Sequence, residues 1–382
     1  MDTEPVVKRA YKYRFYPTPQ QAQELARTFG CVPKVYNLAH AERTRAWFQE
    51  QRRVSYADTS ALLTEWKKDP DLAYLSQVSC VPLQQGLRHL PTAYTAFSAK
   101  RARYPRFTSR RKSRACAEYS RSRFRFKGGQ LTLAKMPDSL DIVWSRPLPE
   151  GAEPSTVTAS VDSAGRWHVS ILAEDRTTTL TANGQTLGVD AGITTLLTLS
   201  TGEKIPNLRH ERTDRVRLAR AQHLLARKQK GSPNAGRARL KVAKAYTRIA
   251  DRRRDHLHKV TTRLVRENQA IVIEDLSVRN MVRCHGLARA ISDTAWRDLL
   301  GMLEHKADRY GRELVVLDRW FPSSKACSAC GPAAASMPLS VREWVCTPCS
   351  AAHDRDVNAA KNIRSEGHSV IACGDGVRPT RR

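Results

Sequence analysis

Cys327-Ser-Ala-Cys330, fifteen intervening residues, Cys346-Thr-Pro-Cys349, and then His353-Asp-Arg-Asp356-Val-Asn-Ala-Ala-Lys-Asn-Ile363 form the stretch that decides how this chain folds. Two C-x2-C pairs at this spacing place four thiolates for tetrahedral Zn²⁺, one pair on each knuckle. Gly331 suits the tight turn after the first pair, and Trp344 can cover the site. The alternative is two unrelated redox pairs. A four-thiolate site has no open coordination position, so its zinc is structural. His353 lies close by but is not needed as a ligand. The run from His353 reads as the start of a helix, so Asp356 is a carboxylate set beside a zinc knuckle.

That pairing directs attention to acids upstream. Leu187-Gly-Val-Asp190-Ala-Gly-Ile193 is a short apolar strand interrupted by one acid, and Ala270-Ile-Val-Ile-Glu274 is a buried-looking strand ending in another. A charge in such a strand is costly unless it meets a cation or a donor. Taken singly, each acid has an ordinary role. Asp190 could cap a turn, Glu274 or Asp275 could pair with an arginine, and Asp354 and Asp356 could be helix N-caps. Taken together, two strands and a helix could bring Asp190, Glu274 and Asp356 to one sheet edge. Clustered carboxylates repel and raise one another's pKa values, which implies a divalent cation. Hard oxygen ligands and a phosphate substrate point to Mg²⁺. Two such ions about 3.5–4 Å apart activate water and stabilise the leaving oxygen in phosphodiester hydrolysis.

The composition agrees with a nucleic-acid partner. Over 382 residues, 65 Lys and Arg face 37 Asp and Glu, a formal charge of +28. A compact chain with that excess repels itself unless something anionic binds it, and nucleic acid is the usual counterpart. No apolar run approaches the roughly 20 residues of a membrane span, so no membrane role is expected. The N-terminus lacks the order of a signal peptide, which points to a cytoplasmic, nucleoid-associated protein. Cys31, Cys80, Cys116, Cys284 and Cys373 are scattered and odd in number, unlike a disulfide framework.

Val6 to Phe15 alternates as a strand, and Thr18-Pro19-Gln20-Gln21 supplies an N-cap, a first-turn proline and a capping box. A helical pattern follows to about Ala102, with breaks expected near Val54, Pro70, Pro82 and Pro91. Ser98 to Lys127 holds twelve Lys or Arg and one acid, Glu118, interleaved with aromatics, as suits phosphate contacts and base stacking. Short strands run from Gly129 to Glu174, and Thr177 to Gln185 reads as a linker. Two long basic helices are expected at about Arg209–Lys230 and Arg237–Asn268, another over Ser292–Tyr310, and a strand at Leu314–Leu317.

The colinear set Tyr13-Arg-Phe-Tyr-Pro17, Leu83-Gln-Gln-Gly-Leu87, Tyr104-Pro-Arg-Phe107, Leu187–Ile193, Asp255-His-Leu-His-Lys259, Ile271–Leu276, Trp320–Gly331 and His353–Ile363 resembles the TnpB family. These are transposon-encoded RNA-guided DNA endonucleases related to type V CRISPR effectors. The resemblance implies a multidomain α+β protein. A RuvC-type, RNase H-like α/β nuclease domain would occupy 184–319 and 353–364, carrying a helical hairpin at 209–268. A zinc-ribbon insertion that binds target nucleic acid would fill 320–352. A split β-barrel wedge domain would lie at 1–16 and 103–178, a helical recognition domain at 17–102, and a disordered tail at 365–382.

The resemblance also implies Asp190, Glu274 and Asp356 as the Mg²⁺-binding catalytic triad, and Cys327, Cys330, Cys346 and Cys349 as ligands of one Zn²⁺. Its partners would be a guide RNA from the transposon end and double-stranded target DNA, bound by a monomer with its RNA. Arg110, Arg111, Lys112, Arg114, Arg121, Arg123 and Arg125 are then candidate RNA contacts. Arg252, Arg253 and Arg254 could face a phosphate backbone, and Tyr56, Ser60 and Gln84 could read a short duplex motif beside the target. The alternatives are a guided DNA-binding repressor with a silent nuclease site and a DNA transposase. Ser350, where the family usually has glycine, and the small apolar run Gly331–Ser336 depart from the pattern at the knuckle but not at the triad.

Overall fold

The computed structural model describes residues 6–109, 113–176, 179–334, 337–338 and 340–373. The chain divides into two compact units with the boundary between Arg176 and Thr177, where the polar linker begins.

The N-terminal unit opens with β1 (Val6–Tyr16), whose alternation turns Tyr11, Tyr13 and Phe15 inward. Thr18 then caps α1 (Pro19–Glu50). Its hydroxyl accepts the Gln21 N–H at 3.2 Å while the Gln21 side chain accepts the Thr18 N–H at 3.1 Å. After α1 come α2 (Tyr56–Lys68), a 3-10 turn (Pro70–Ser76) and α3 (Cys80–Ser98), packed around Val35, Leu63, Leu75, Leu83 and Leu87. Strands β2 (Ala115–Ser120), β3 (Phe124–Lys127), β4 (Gln130–Leu133), β5 (Asp141–Val143), β6 (Pro154–Val161) and β7 (Trp167–Arg176) complete the unit. An antiparallel sheet runs in the order β2-β6-β7-β1-β5, and β3-β4 is a separate hairpin. Leu131 and Leu133 of the hairpin share one core with Tyr13, Phe15, Val157 and Ile171 of the sheet. Among the described residues, sheet and hairpin are joined by that core rather than by a continuous hydrogen-bonded ladder.

The C-terminal unit is built on β8 (Thr186–Ala191), β9 (Thr195–Leu199) and β10 (Lys204–Pro206), then α4 (His210–Ala226) and α5 (Pro233–Glu267). Next come β11 (Ala270–Glu274), α6 (Val278–Met281), α7 (Ala288–Thr294), α8 (Trp296–Tyr310) and β12 (Glu313–Leu317). The small hairpin strands β13 (Glu343–Val345) and β14 (Ala352–Asp354) lead into α9 (Arg355–Ala372). The sheet order is β10-β9-β8-β11-β12, with the first three strands antiparallel and β8, β11 and β12 parallel. Its two faces are set by strand alternation. Leu187, Val189, Ile271 and Ile273 pack with Leu257 and Leu264 of α5 and Leu299 and Leu303 of α8. Val272, Val315 and Leu317 pack the other way, against Ile363 of α9.

Helix α9 lies directly on the strands. A Cβ added at Gly188 would sit 2.6 Å from the backbone nitrogen of Arg364 and closer still to the carbonyl oxygen of Ala360. One at Gly367 would collide with the Val272 side chain, the residue paired with Gly188 across β8 and β11. Ala359, Ala360 and Ile363 are buried along the same face.

Several elements depart from the sequence reading. Helix α3 continues through Pro91, because Leu83, Leu87 and Leu90 before the proline and Tyr94 after it pack into one core; Pro82 falls in the first turn, where its missing N–H has no intrahelical partner. The hairpin helices run over 210–226 and 233–267, the second starting early because Ser232 caps it with Pro233 in first position. The helix expected over 292–310 is divided at Ala295, which has φ 52°. The segment read as a tail from Arg364 is helical to Ala372, since Gly367, Val370 and Ile371 extend the apolar face of Ile363; residues 374–382 lie outside the described set.

Gly188→Ala should therefore lower the stability of the C-terminal unit by about 2–3 kcal/mol or more, the range of overpacked cores, read as a lower urea midpoint. Gly301→Ala, where a Cβ meets nothing within 4 Å, should leave the stability unchanged or raise it by up to about 1 kcal/mol, read as an equal or higher midpoint.

Candidate active site

Strand alternation puts the acids on the α9 face. Asp190 lies two residues beyond Gly188 and Glu274 two beyond Val272, so each shares its neighbour's side of the sheet. β8 and β11 pair in register up to Val189↔Ile273, and one further residue sets Asp190 beside Glu274. α9 touches Gly188 at Ala360. Asp356 is one turn earlier in α9, a rise of about 5.4 Å, against about 6.6 Å for the two strand residues from Gly188 to Asp190. The three acids thus lie toward the carboxyl end of the parallel strands, near enough for the charges of Glu274 and Asp356 to act on Asp190.

The electrostatics register that proximity. The Asp190 carboxyl is pushed up to about 7, first by burial and then by the charges of Glu274 and Asp356, with Arg355 and Arg342 pulling the other way. Burial also raises Glu274, against a hydrogen bond from Ser323. Its Oε1 is buried without a hydrogen-bond partner. An orphaned carboxylate oxygen among other carboxylates is a donor set that a hard divalent cation fits. Asp356 is held in the first turn of α9, where the Asp354 carboxylate accepts the N–H groups of Asp356 and Val357 at 3.1 and 3.0 Å. Lys204 Nζ donates to Asp354 at 2.6 Å, and Arg342 Nη1 stands 3.6 Å from Asp356 Oδ1. A cleft of about 290 Å³ opens beside Glu274, walled by Ala191, Asp275, Arg279, Arg297 and Arg319.

The four cysteines come together next to this site. Their sulfurs lie within 4.8 Å of one another, with Cys327–Cys349 at 3.7 Å and Cys330–Cys346 at 3.6 Å. Four Zn–S bonds of about 2.3 Å in a tetrahedron give S–S edges of about 3.8 Å, so the cluster suits a structural zinc. His353 Nε2 is 3.1 Å from Cys327 Sγ, and its ring lies 4.8 Å from that of Trp344.

Two asparagines in the quoted motif, to which the sequence reading gave no role, join ribbon to helix. Asn358 Nδ2 donates to Ala326 O at 2.7 Å, and its Oδ1 accepts the Ser328 N–H at 2.9 Å. Asn362 Nδ2 donates to Ser323 O and Ala326 O, each at 2.7 Å. Their i, i+4 spacing on one helix face was the available signal. Arg355 is turned to the ribbon, donating to Pro338 O at 2.7 Å.

The other candidates divide. Tyr56 and Ser60 share a face of α2, Gln84 and Arg88 a face of α3, and the Arg88 guanidinium lies over the Tyr56 ring at 5.4 Å. Arg88 was missed because a single surface arginine carries no pattern. Arg114 donates to Ser160 Oγ and Arg121 pairs with Glu153, while Arg123 and Arg125 are exposed. Arg252 pairs with Asp214 at 2.9 Å, and Arg253 reaches Ser292 O and Asp293, so both brace the helices; Arg254 points to solvent. Arg110, Arg111 and Lys112 lie outside the described residues.

With this geometry in view, the comparisons with known proteins fall into place. A family profile described as "Probable transposase" matches residues 168–285, "Cas12f1-like, TNB domain" matches 296–363, and "Helix-turn-helix domain" matches 1–52. The described part of that last stretch is one strand and one continuous helix. The chain is 64% identical over 375 residues to a protein of Streptomyces pristinaespiralis named "Putative RNA-guided DNA endonuclease", covering 98% of this chain and 93% of that one. It is 31% identical over 392 residues to "Putative RNA-guided DNA endonuclease InsQ" of Escherichia coli K12, covering 98% and 96%. Its fold is like that of the protein in a Cas12f1–sgRNA–target DNA complex, with a TM-score of 0.58 at 12% identity over 94% of this chain and 99% of that one.

Two measurements test the site. A carboxyl raised in the folded state holds its proton where the unfolded chain has lost it, so its contribution to stability is full below about pH 4 and is lost as pH rises through about 7. In EDTA the urea midpoint of the wild type, relative to Asp190→Asn, should fall between pH 5 and 7.5, and Mg²⁺ should restore it at pH 7.5 more than at pH 5. Elemental analysis should find one zinc per chain. Cys346→Ser should lose it and, since structural zinc binding amounts to on the order of 10 kcal/mol, unfold the ribbon and free the start of α9; active protein without zinc would contradict this.

Proposed function

This chain belongs to the TnpB family, and we propose that it is a transposon-encoded, RNA-guided DNA endonuclease with one RuvC-type site formed by Asp190, Glu274 and Asp356. The observation that carries this is the convergence of three carboxylates from β8, β11 and α9, one with an orphaned buried oxygen. The full-length relatives named as RNA-guided endonucleases, the excess of cations and the Cas12f1-like fold support it.

Asp190, Glu274 and Asp356 would hold Mg²⁺. When bound, the metal supplies an activated water and charge stabilisation at the scissile phosphate. The chain's own residues fix the geometry. Ser323 orients the Glu274 carboxylate, and Asp354 caps α9 so that Asp356 is held at a helix N-terminus, which favours negative charge. Arg342, mostly exposed beside Asp356, offers a cation to the same phosphate. The zinc ribbon, with no open coordination position, acts through Asn358 and Asn362 on the position of α9. In this reading guide pairing selects the sequence, and the protein recognises backbone shape and a short adjacent motif. Tyr56, Ser60, Gln84 and Arg88 are the candidate motif readers, while Arg123 and Arg125 lie on the surface assigned to RNA. The N-terminal sheet and hairpin form the wedge, and α1–α3 the recognition helices.

The test uses protein carrying the RNA with which it copurifies, incubated with matching DNA and Mg²⁺. Asp190→Ala, Glu274→Ala and Asp356→Ala should each abolish cleavage while leaving RNA and DNA binding near wild type, and EDTA should stop the wild type. Cutting retained by any of the three would remove that residue from the site.

A further inference from the structure

We propose that Trp320 stacks on an unpaired nucleobase of the strand being cut, beside the scissile phosphate, and so positions that strand in the site. This rests on the endonuclease reading and adds a residue that positions the substrate strand.

Trp320 is 82% exposed, more than any other large hydrophobic residue among those described. Tryptophan is ordinarily well covered, and this ring is displayed by a fixed turn. Asp318 Oδ1 accepts the Trp320 N–H at 2.8 Å, and Asp318 O accepts the Phe321 N–H at 3.1 Å. The next side chain, Phe321, packs with Val272 and Leu317 under α9. Ser323, two residues on, is buried, hydrogen-bonds Glu274, and gives its carbonyl oxygen to Asn362 at 2.7 Å. The turn is thus anchored on both sides, one anchor being the metal-binding glutamate itself.

The surroundings name the occupant. Arg319, immediately before the ring, lines the cleft of about 290 Å³ that Glu274 also lines. Arg319 is engaged with Asp275, but Arg279 and Arg297, on the walls of the same cleft, are exposed and meet no acid among the described residues. Trp296, another wall residue, is only 4% exposed, and its indole N–H has no acceptor. Free cations and an unpaired buried donor call for anionic oxygens, and an open aromatic face calls for a flat ring. A nucleotide supplies both. Bases inside a duplex are stacked on both faces, whereas an unpaired base offers an open face to the indole.

The experiment is single-turnover cleavage in Mg²⁺ by protein loaded with its copurifying RNA, on complementary single-stranded DNA carrying one abasic site at successive positions. Trp320→Ala should slow cleavage about 10-fold, equivalent to about 1.4 kcal/mol and within the 1–3 kcal/mol of a base–aromatic stack. Trp320→Phe should stay within about 3-fold of wild type. At one position flanking the cut, the abasic site should slow the wild type by about the same 10-fold and slow Trp320→Ala no further. The urea midpoint of Trp320→Ala should match wild type, since the ring is exposed. Wild-type rates for Trp320→Ala, as expected if the ring serves a protein partner, would overturn the proposal, as would abasic penalties that add fully to the substitution at every position. Either result leaves the endonuclease reading standing, because the wild type still cuts. A wild type that cuts no DNA overturns both.

Discussion

The backbone contact of α9 with β8 at Gly188 is the constraint on which the C-terminal unit depends. Any side chain at Gly188 would displace the helix from the sheet. Because Asp356 is one turn from that contact and Asp190 two residues from it, the spacing that packs the core also sets the separation of two acids. A layered α/β unit usually tolerates some sliding of a helix over a sheet. Here Gly188 and Gly367 fix its height, and Ala359, Ala360 and Ile363 fill the gap. The site inherits its precision from the core.

The zinc ribbon extends the same logic from outside. Among the described residues it has little apolar core of its own, and Cys327 and Cys346 are its buried centre. Small modules of this kind depend on a metal for order. The ribbon is tied to α9 by Asn358 and Asn362, through Ser323, Ala326 and Ser328. It is also continuous with the strand that ends at Asp354, the cap of the helix. A zinc held by the four cysteines would therefore order both the chain entering α9 and the partners along its side. With four thiolate ligands it would have no open position for bond-making, and its effect would be on where Asp356 sits.

Much of this was legible in the sequence, for identifiable reasons. The cysteine spacing has one economical reading, and the acids Asp190 and Glu274 were conspicuous because each interrupts or ends an apolar strand. The capping box at Thr18 and the alternation of Tyr11, Tyr13 and Phe15 are local signals with local causes. What failed was long-range. The apolar face of α9 past Arg364 is carried by a glycine and two half-buried residues, too sparse to mark a helix without the sheet beneath it. Pro91 looks like a break until the packing of α3 is known. The arginines show the same limit: Arg252 and Arg253 resemble Arg254 in sequence, yet two are spent on Asp214 and Asp293 and one faces solvent.

The charges of the molecule are arranged as two unsolved problems of opposite sign. The chain as a whole carries +28 and repels itself. At the sheet edge, burial and then the charges of Glu274 and Asp356 push the Asp190 carboxyl up to about 7. The two do not cancel, because the acids are half-enclosed between β8, β11 and α9, where Arg355 and Arg342 only partly oppose the rise at Asp190. A polyanion relieves the first problem and a divalent cation the second. Near neutral pH, where Asp190 is poised to give up its proton, a divalent cation held by the three acids would offset the negative charge that repels an approaching phosphate. The folded chain thus carries unbalanced charge of opposite sign in two separate places, and each would be relieved by a ligand of the other sign.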